Sequence, residues 1–321
     1  MRPHLVMRET ELAVKRGFYT FVSKADGQVK VAIGKPEHTT QARMVSNHVE
    51  KRTHKPRKGA EKASGKHAEV AQKLPAEVVV VGMDTLDAAH AEHRIHSHQE
   101  GASRERGGNQ SSQIPLDYQP RVMVLDFASD SVPGGGARGN QLGTQEESLC
   151  RRSSLLLGLE SLTYPIPYSG CAVCNQVVVF RHGEHREYSF FDPRENEHPF
   201  TVVVVASAMP SMEGAGDAEE EAVRAAKIDV ILKQFVQAAS QSKVRSLVLG
   251  AWGCGAFGND ARNVATVFRR RIEHWFSADR SSFGAEEGDI CARGVDQRLR
   301  IVFAVHGRKN LTAFQETFQS G

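Results

Sequence analysis

Runs of β-branched and other apolar residues that alternate with helical patterns constrain the fold of this chain more than any other feature. Such runs cover residues 76–82, 201–208, 244–250 and 300–305. Apolar runs of this length are typical of strands that are buried on both faces of a parallel sheet. Strands that alternate with helices therefore predict an α/β fold, in which a mainly parallel sheet lies between two layers of helices.

A further strand, predicted over residues 121–127, leads into a loop with three consecutive glycines. Without Cβ atoms, such a loop can approach a ligand closely and direct its N–H groups at an anion. A helix is predicted to open at the next acidic residues, with one continuous apolar face. The glycines are Gly134, Gly135 and Gly136, the helix opens with Gln145, Glu146 and Glu147, and its apolar face comprises Leu149, Leu155, Leu156 and Leu159.

A second glycine-rich loop follows the strand predicted over residues 244–250 and precedes a helix over 260–276. Ligands of parallel sheets bind at the carboxyl ends of the strands, so a diphosphate held between the two loops is expected. Neither loop has the spacing of a P-loop or of a dinucleotide-binding fingerprint, which disfavours a standard NTPase or dehydrogenase. The second loop contains Gly253, Cys254, Gly255, Ala256, Phe257 and Gly258.

The first 75 residues differ in character from the rest. A helix is predicted over residues 8–19 and a hairpin over 19–33, with Asp26 and Gly27 in its turn. Residues 46–73 are rich in Lys, Arg and His and predict a solvated, flexible insertion; a nuclear-import patch or a polyanion-binding surface is the alternative. We therefore divide the chain into an accessory region, 1–75, and a main α/β domain, 76–321.

Two groups of potential metal ligands are interpreted as structural. The histidines at positions 90, 93, 96 and 98 have no Cys or carboxylate at a recognised spacing, so a solvated histidine-rich turn is preferred to a metal site. The pair Cys171 and Cys174 falls in a predicted loop without a second pair of cysteines, so a zinc or redox site is not favoured. No metal and no cofactor is predicted.

Composition indicates a cellular compartment and a ligand charge, but it does not indicate a reaction. The odd set of five cysteines suits a reducing compartment, and no window is apolar enough to span a bilayer, so an intracellular, cytoplasmic protein is expected, nuclear if the source is eukaryotic. The net charge of +3 at pH 7 suits an anionic ligand without the strong basic bias of nucleic-acid-binding proteins.

At this point the residues resemble a known family. Three glycines followed after eight residues by Gln145-Glu146-Glu147 are similar to the signature of poly(ADP-ribose) glycohydrolases, and the stretch LDFAS…PGGG…QEESLCRRSSLL resembles their microbial-type branch. The segment LVLGAWGCGAFGND at residues 247–260 also resembles that branch. The resemblance implies a macrodomain-like three-layer fold with a mixed, largely parallel sheet.

The resemblance also implies a reaction, the hydrolysis of ribose–ribose O-glycosidic bonds with release of ADP-ribose. It assigns the catalytic acid to Glu147 and a positioning role to Glu146. The two glycine loops and Gln145 would bind substrate, with Phe257 orienting the distal ribose. The implied partners are poly(ADP-ribose), ADP-ribose and poly(ADP-ribosyl)ated proteins, bound by a monomer that contacts neither a membrane nor nucleic acid.

Three questions stay open at this stage. The protein could instead be a non-catalytic ADP-ribose reader or a mono-ADP-ribosyl hydrolase. The residues Thr144 to Glu147 also form a T-x-x-E capping box, in which Glu147 would only bind the backbone at the helix start. Finally, Asp126 stands where the branch usually has Asn, and an acid at that position would alter binding if it approached the ligand.

Overall fold

A computed structural model describes residues 2–23, 27–34, 41–46, 76–104, 119–140, 143–209, 217–276 and 299–319. The predicted basic insertion, apart from Ser46, lies outside the described residues, as does Asp26 of the hairpin turn. None of the helices within these ranges has both the length and the apolarity needed to cross a membrane.

The described ranges contain nine strands and seven α-helices. The strands are β1 (Phe18–Ser23), β2 (Gly27–Ala32), β3 (Gln41–Ser46), β4 (Glu77–Val81), β5 (Val122–Phe127), β6 (Gly170–Val179), β7 (Phe200–Ser207), β8 (Ser246–Leu249) and β9 (Arg300–Ala304). The helices are α1 (Pro3–Arg16), α2 (Thr85–Arg104), α3 (Gln145–Arg152), α4 (Leu155–Glu160), α5 (Asp217–Gln241), α6 (Ala261–Phe276) and α7 (Arg308–Gln319).

Seven strands form one mixed, largely parallel sheet in the order β3-β6-β7-β5-β8-β9-β4. The five strands from β7 to β4 are parallel to their neighbours, whereas β6 is antiparallel to both β3 and β7. Because β5 and β8 are parallel neighbours, their carboxyl ends lie side by side. The two glycine-rich loops therefore leave the sheet next to each other, as predicted.

Side chains of β5 alternate between the two faces of the sheet. Met123 and Leu125 pack with α5, α6 and α7 in one hydrophobic core. Val122 and Val124 pack with residues of α2, α3 and α4 in the other. The two cores give the three-layer architecture that the alternating pattern predicted.

The accessory region contributes to this main body. Strand β3 is an edge strand of the seven-stranded sheet, and the hydroxyl of Thr10 in α1 donates to the carbonyl of Arg151 in α3 at 2.7 Å. The hairpin of β1 and β2 is formed as predicted. The division of the chain at residue 75 stays a prediction.

Some predicted elements were wrong in their extent. The first helix spans Pro3–Arg16 rather than 8–19, because Gly17 takes a left-handed conformation that ends it and Phe18 begins β1. The run at 76–82 was predicted to be buried on both faces, but β4 lies at the sheet edge and is only partly buried. The single helix predicted to follow the first glycine loop is two helices, because Ser153 leaves α3 in extended backbone and forms a β-bridge with Val179.

Asp126 belongs to the core and not to the ligand surface. It follows the alternation of Val122 and Val124, is fully buried, and neither carboxyl oxygen forms a hydrogen bond with a described residue. Burial and then the nearby Glu146 raise the pKa of Asp126 well above its ordinary value of 3.8. A carboxyl group in this position is neutral, because an unpaired buried charge is far more costly than a protonated acid.

Substitution of Asp126 by Asn tests this assignment. The folded state holds the proton that the unfolded state releases above pH 3.8, so the wild type loses stability as the pH rises from there toward the folded pKa. Asn has no such proton, and the stability of Asp126→Asn relative to wild type should grow by up to about 1.4 kcal/mol per pH unit in this window. Urea unfolding at a series of pH values measures the difference. A difference that does not change with pH would mean that Asp126 is ionised in the fold.

Candidate active site

The first glycine loop lies directly against two glutamates of α3. Gly134 and Gly135 have φ angles of 70° and 52°, the left-handed region that favours glycine. A Cβ at Gly135 would lie 3.2 Å from a carboxyl oxygen of Glu146, and a Cβ at Gly136 would lie 2.7 Å from one of Glu147. Gly135 and Gly136 therefore leave the room in which the two carboxyl groups sit, whereas a Cβ at Gly134 would meet Leu156 and Cys150.

Glu146 connects the start of α3 to both ends of this loop. It is buried, and its two oxygens accept hydrogen bonds from the backbone N–H of Ser129 at 2.8 Å and of Gly134 at 3.0 Å. Burial raises the pKa of Glu146 to about 7, with a contribution from Glu147, although the two backbone donors favour the charged form. Both oxygens are occupied by the backbone, which is the geometry of a positioning residue.

Glu147 is the second carboxyl group, and it faces a different set of neighbours. Its side chain accepts from the backbone N–H of Thr144 at 3.4 Å, while its own N–H donates to the Thr144 hydroxyl at 3.4 Å. The capping box considered from the sequence is therefore present, but both of its bonds are long and correspondingly weak. The carboxyl also lies against Gly143, whose Cβ would be 3.1 Å from it, so Glu147 sits between Gly143 and the glycine loop.

Gln145 makes contacts that differ from the predicted substrate contact. Its side-chain oxygen accepts from the N–H of Phe127 at 2.9 Å, and its amide nitrogen donates to the carbonyl of Leu125 at 2.8 Å. The same nitrogen donates to the hydroxyl of Thr85 at 3.3 Å. These bonds fasten the start of α3 to the end of β5, and substrate binding by Gln145 stays a prediction.

Arg151 was not identified from the sequence, although it lies one helical turn after Glu147. It is almost completely buried and donates to the carbonyls of Ala137 at 3.2 Å and Gly136 at 3.4 Å. It also reaches Glu147 at 3.5 Å. Arg151 therefore holds the end of the glycine loop and the second glutamate in one arrangement, and the i, i+4 spacing of the two residues is the signal that could have found it.

The second loop is more open than the first. Gly255, Ala256, Phe257 and Gly258 are exposed, with half of the Phe257 surface accessible, whereas Cys254 is partly buried and burial raises its thiol pKa to about 12. The thiol is therefore not an activated nucleophile. Trp252 anchors the loop to the end of β7, two strands away from β8, because its indole N–H donates to the carbonyl of Ser207 at 3.1 Å.

Backbone N–H groups in both loops have no acceptor among the described residues. In the first loop this is the N–H of Gly136, and in the second it is those of Gly253, Gly255, Ala256 and Phe257. Each loop is followed by a helix, α3 or α6, at the carboxyl edge of the sheet. The arrangement offers backbone donors to an anion, and anion binding by the two loops stays a prediction.

Asn259 and Arg224 hold the second loop, and neither was singled out from the sequence. Both the backbone and the side chain of Asn259 donate to the carbonyl of Gly253, at 3.0 and 2.9 Å. Arg224 of α5 donates to the side-chain oxygen of Asn259 at 2.7 Å and pairs with Glu220 at 2.6 Å. An Asn directly after a glycine loop is the local signal for such a brace, while its Arg partner lies 35 residues away and has no sequence signal.

The histidines and cysteines do not lie where the sequence predicted. Instead of a solvated turn, these histidines lie on α2, where His90 stacks on Phe191 and Phe200 at 5.3 and 4.9 Å between ring centroids. Cys171 and Cys174 lie within β6 and not in a loop, and they belong to opposite cores of the sheet. Among the described residues no group of three or more His, Cys, Asp or Glu could hold a metal ion.

Substitution of Asn259 by Ala should loosen the second loop while the fold is kept. Two hydrogen bonds of its side chain disappear, which costs about 1–3 kcal/mol, and the N–H groups of the loop should exchange with deuterium faster. Hydrogen exchange followed by mass spectrometry measures this on the peptide that contains residues 253–258. Asn263→Ala, at an exposed position of α6, is the matched control and should leave that exchange unchanged. Equal exchange in both variants would show that Asn259 does not hold the loop.

Comparison with known proteins identifies a family for about half of the chain. A family model described as "Microbial-type PARG, catalytic domain" matches residues 7–169, just over half of the chain, and includes the first glycine loop and α3. A search of curated proteins finds no match.

Solved structures extend the likeness over nearly the whole chain. Poly(ADP-ribose) glycohydrolase from Thermomonospora curvata is 23% identical, with 98% of this chain and 99% of that chain covered at a TM-score of 0.59. The same enzyme bound to the inhibitor ADP-HPD is 22% identical, with 98% of each chain covered at a TM-score of 0.58. Poly(ADP-ribose) glycohydrolase from Deinococcus radiodurans in complex with ADP-ribose is 22% identical over 77% of this chain and 85% of that chain, at a TM-score of 0.51.

At these sequence identities the structural comparison shows the fold alone. It confirms the expected macrodomain-like α/β architecture. The family model covers the first glycine loop and the helix that carries both glutamates. The chain therefore belongs to the microbial-type poly(ADP-ribose) glycohydrolases, a family of glycoside hydrolases.

Proposed function

We propose that this protein hydrolyses the ribose–ribose O-glycosidic bonds of poly(ADP-ribose) and releases ADP-ribose. The observation that carries the proposal is the position of Glu147, whose carboxyl group lies against a glycine loop with a backbone donor that no described residue accepts from. A second loop, whose backbone donors likewise have no acceptor within the described ranges, follows the neighbouring strand. This combination of anion donors and an acid suits a sugar attached to a diphosphate.

The two loops would hold the diphosphate. Backbone N–H groups suit this task because they present donors without a side chain that competes for the space. The exposed ring of Phe257 lies next to the donors of Gly255 and Ala256, where it can pack against the distal ribose. The anomeric carbon would then lie on the side of the first loop, near Glu147.

Glu147 would act first as an acid and then as a base. In the first step the bond between the anomeric carbon and the leaving oxygen breaks, and the proton of Glu147 moves to that oxygen. The ribose then carries the positive charge of an oxocarbenium-like centre. In the second step water attacks this carbon and returns a proton to Glu147, so the enzyme recovers its starting state.

Glu146 would position the reacting groups without exchanging protons with the substrate. Its two oxygens are already engaged by Ser129 and Gly134, which keeps the first loop close to the start of α3. Arg151 supports the same arrangement from the other end of the loop. A non-catalytic reader of ADP-ribose would need the loops but not an acid in this position.

Replacement of Glu147 by Gln should abolish the reaction and retain binding. Loss of the acid is expected to lower the release of ADP-ribose from poly(ADP-ribosyl)ated protein by about 100- to 10,000-fold, while the affinity for ADP-ribose is kept. Chromatography of the released ADP-ribose and calorimetric titration measure the two quantities. If the wild type binds ADP-ribose but releases none, as expected of a non-catalytic ADP-ribose-binding protein, the proposed function is wrong.

The capping box provides the matched control for this variant. Thr144→Ala removes the hydroxyl that caps α3 and leaves the Glu147 carboxyl in place, so it should cost about 1 kcal/mol of stability and keep most of the activity. If Thr144→Ala were as inactive as Glu147→Gln, Glu147 would act as a cap and not as the acid.

Substitution of Gly136 by Ala tests the position of Glu147 without removing its carboxyl group. Gly136 does not have a positive φ angle, so Ala is compatible with the backbone, but its Cβ would lie 2.7 Å from the carboxyl oxygen. The acid must move, and kcat should fall by at least about 10-fold. Steady-state kinetics of ADP-ribose release, with thermal unfolding as the check on folding, measures this. An unchanged kcat in a folded variant would mean that Glu147 acts from another position.

A further inference from the structure

Lys227 of α5 is a buried lysine that the site described so far does not use. Only 3% of its surface is exposed, and it forms no hydrogen bond or ion pair with any described residue. Its ammonium lies 5.6 Å from the centroid of the Tyr168 ring, which is itself largely exposed. A charged group in this state is costly unless an anion pairs with it.

The groups near Lys227 within the described part of the chain do not supply that anion. The thiol of Cys171 on β6 is neutral, because burial raises its pKa to about 12. Asp130, in the loop after β5, interacts with the lysine electrostatically but forms no ion pair with it, and its side chain is exposed. Burial lowers the pKa of Lys227 to about 8, against the effects of Cys171 and Asp130, so binding of an anion would restore its proton.

Lys227 lies at the edge of the sheet from which the glycine loops leave. Cys171, which lies near Lys227, comes just before the residue of β6 that pairs with Ala206 of β7. The next residue of β7, Ser207, pairs with Phe127, the last residue of β5. Cys171 is therefore at the same edge of the sheet as the end of β5. Asp130 directly follows Ser129, the residue that donates to Glu146. One turn earlier on α5, Arg224 supports the second glycine loop through Asn259.

From these contacts we propose that Lys227 is a phosphate-binding residue of the active site, contacting a phosphate group of the ligand between the first loop and Tyr168. The proposal rests on the proposed function for the identity of the ligand and adds a side-chain cation to the backbone donors of the two loops. Phosphate can come from two sources, the diphosphate of the bound ADP-ribose or that of the next unit along the polymer. An ammonium at the wall of the site suits either source.

Substitution of Lys227 by Met keeps the length of the side chain and removes the charge. If the ligand's own diphosphate is bound, the Kd for ADP-ribose should rise by about 10- to 100-fold. If the phosphate of the next unit is bound, the Kd for ADP-ribose is unchanged and the KM for poly(ADP-ribose) rises instead. Adenosine, which has no phosphate, should bind wild type and variant equally. Lys233→Met on the same helix is the control and should change none of these constants.

Proton uptake on binding of ADP-ribose distinguishes a phosphate-binding lysine from a lysine with a purely structural role. At pH 8.5 a lysine with a pKa of about 8 is mostly neutral, while Glu146, with a pKa of about 7, is already ionised. If ADP-ribose contacts Lys227, titrations in buffers of different ionisation enthalpy should show net proton uptake in the wild type that is lost in Lys227→Met.

Two results separate the possible failures. If Lys227→Met is folded and binds ADP-ribose and poly(ADP-ribose) as the wild type does, Lys227 is a core residue and the inference is wrong. If the wild type binds ADP-ribose through Lys227 but releases none from the polymer, the inference stands and the proposed function fails.

Discussion

The two hydrogen bonds that Glu146 accepts from Ser129 and Gly134 determine how the rest of the site is arranged. They join the start of α3 to the loop that leaves β5, across a segment in which the chain makes three close turns. A buried carboxyl is expensive, and the raised pKa of Glu146 expresses that cost. The backbone donors offset part of it, and the loop cannot move away without leaving the carboxyl unpaired.

From this arrangement follows the separation of roles between two adjacent acids. Consecutive residues at a helix start point in different directions, about 100° apart, so Glu146 and Glu147 cannot face the same groups. Glu146 is turned toward the loop backbone, while Glu147 faces Gly136 and Gly143 and is reached by Arg151. One acid is immobilised by the backbone, and the other keeps a carboxyl group beside Gly136, whose N–H has no acceptor in the described part of the chain.

The parts of the site that are local in sequence could be predicted, and those that depend on distant partners could not. The glycine loops and the start of α3 follow from turn chemistry and apolar periodicity, which act over a few residues. The end of α3 after Arg152 depends on a β-bridge between Ser153 and Val179. The position of the Asn259 side chain, which holds the second loop, depends on Arg224 in another helix. No pattern within either segment carries that information.

The packing of α3 over β5 decides between two interpretations of Asp126. The sequence left open whether its acid meets the ligand, although the alternation along β5 already placed it on the same face as Val122 and Val124. Only the packing of α3 over that face shows that it is the sealed side of the strand. The acid there is sealed from the surface, and it lies close enough to Glu146 for a charged Glu146 to oppose its ionisation.

Helix α5 packs on the face of the sheet opposite to α3, and it supports the candidate site from there. Arg224 and Lys227 lie one turn apart and are both buried, but only Arg224 has carboxylate and amide partners among the described residues. An arginine with fixed partners is suited to hold a loop, since its planar group makes several directed bonds at once. Lys227 contacts the Tyr168 ring but has no ion-pair or hydrogen-bond partner among the described residues, so its charge is available for a ligand. One helix face therefore carries both a residue that supports the second loop and, as we infer, a residue that binds a phosphate between the first loop and Tyr168.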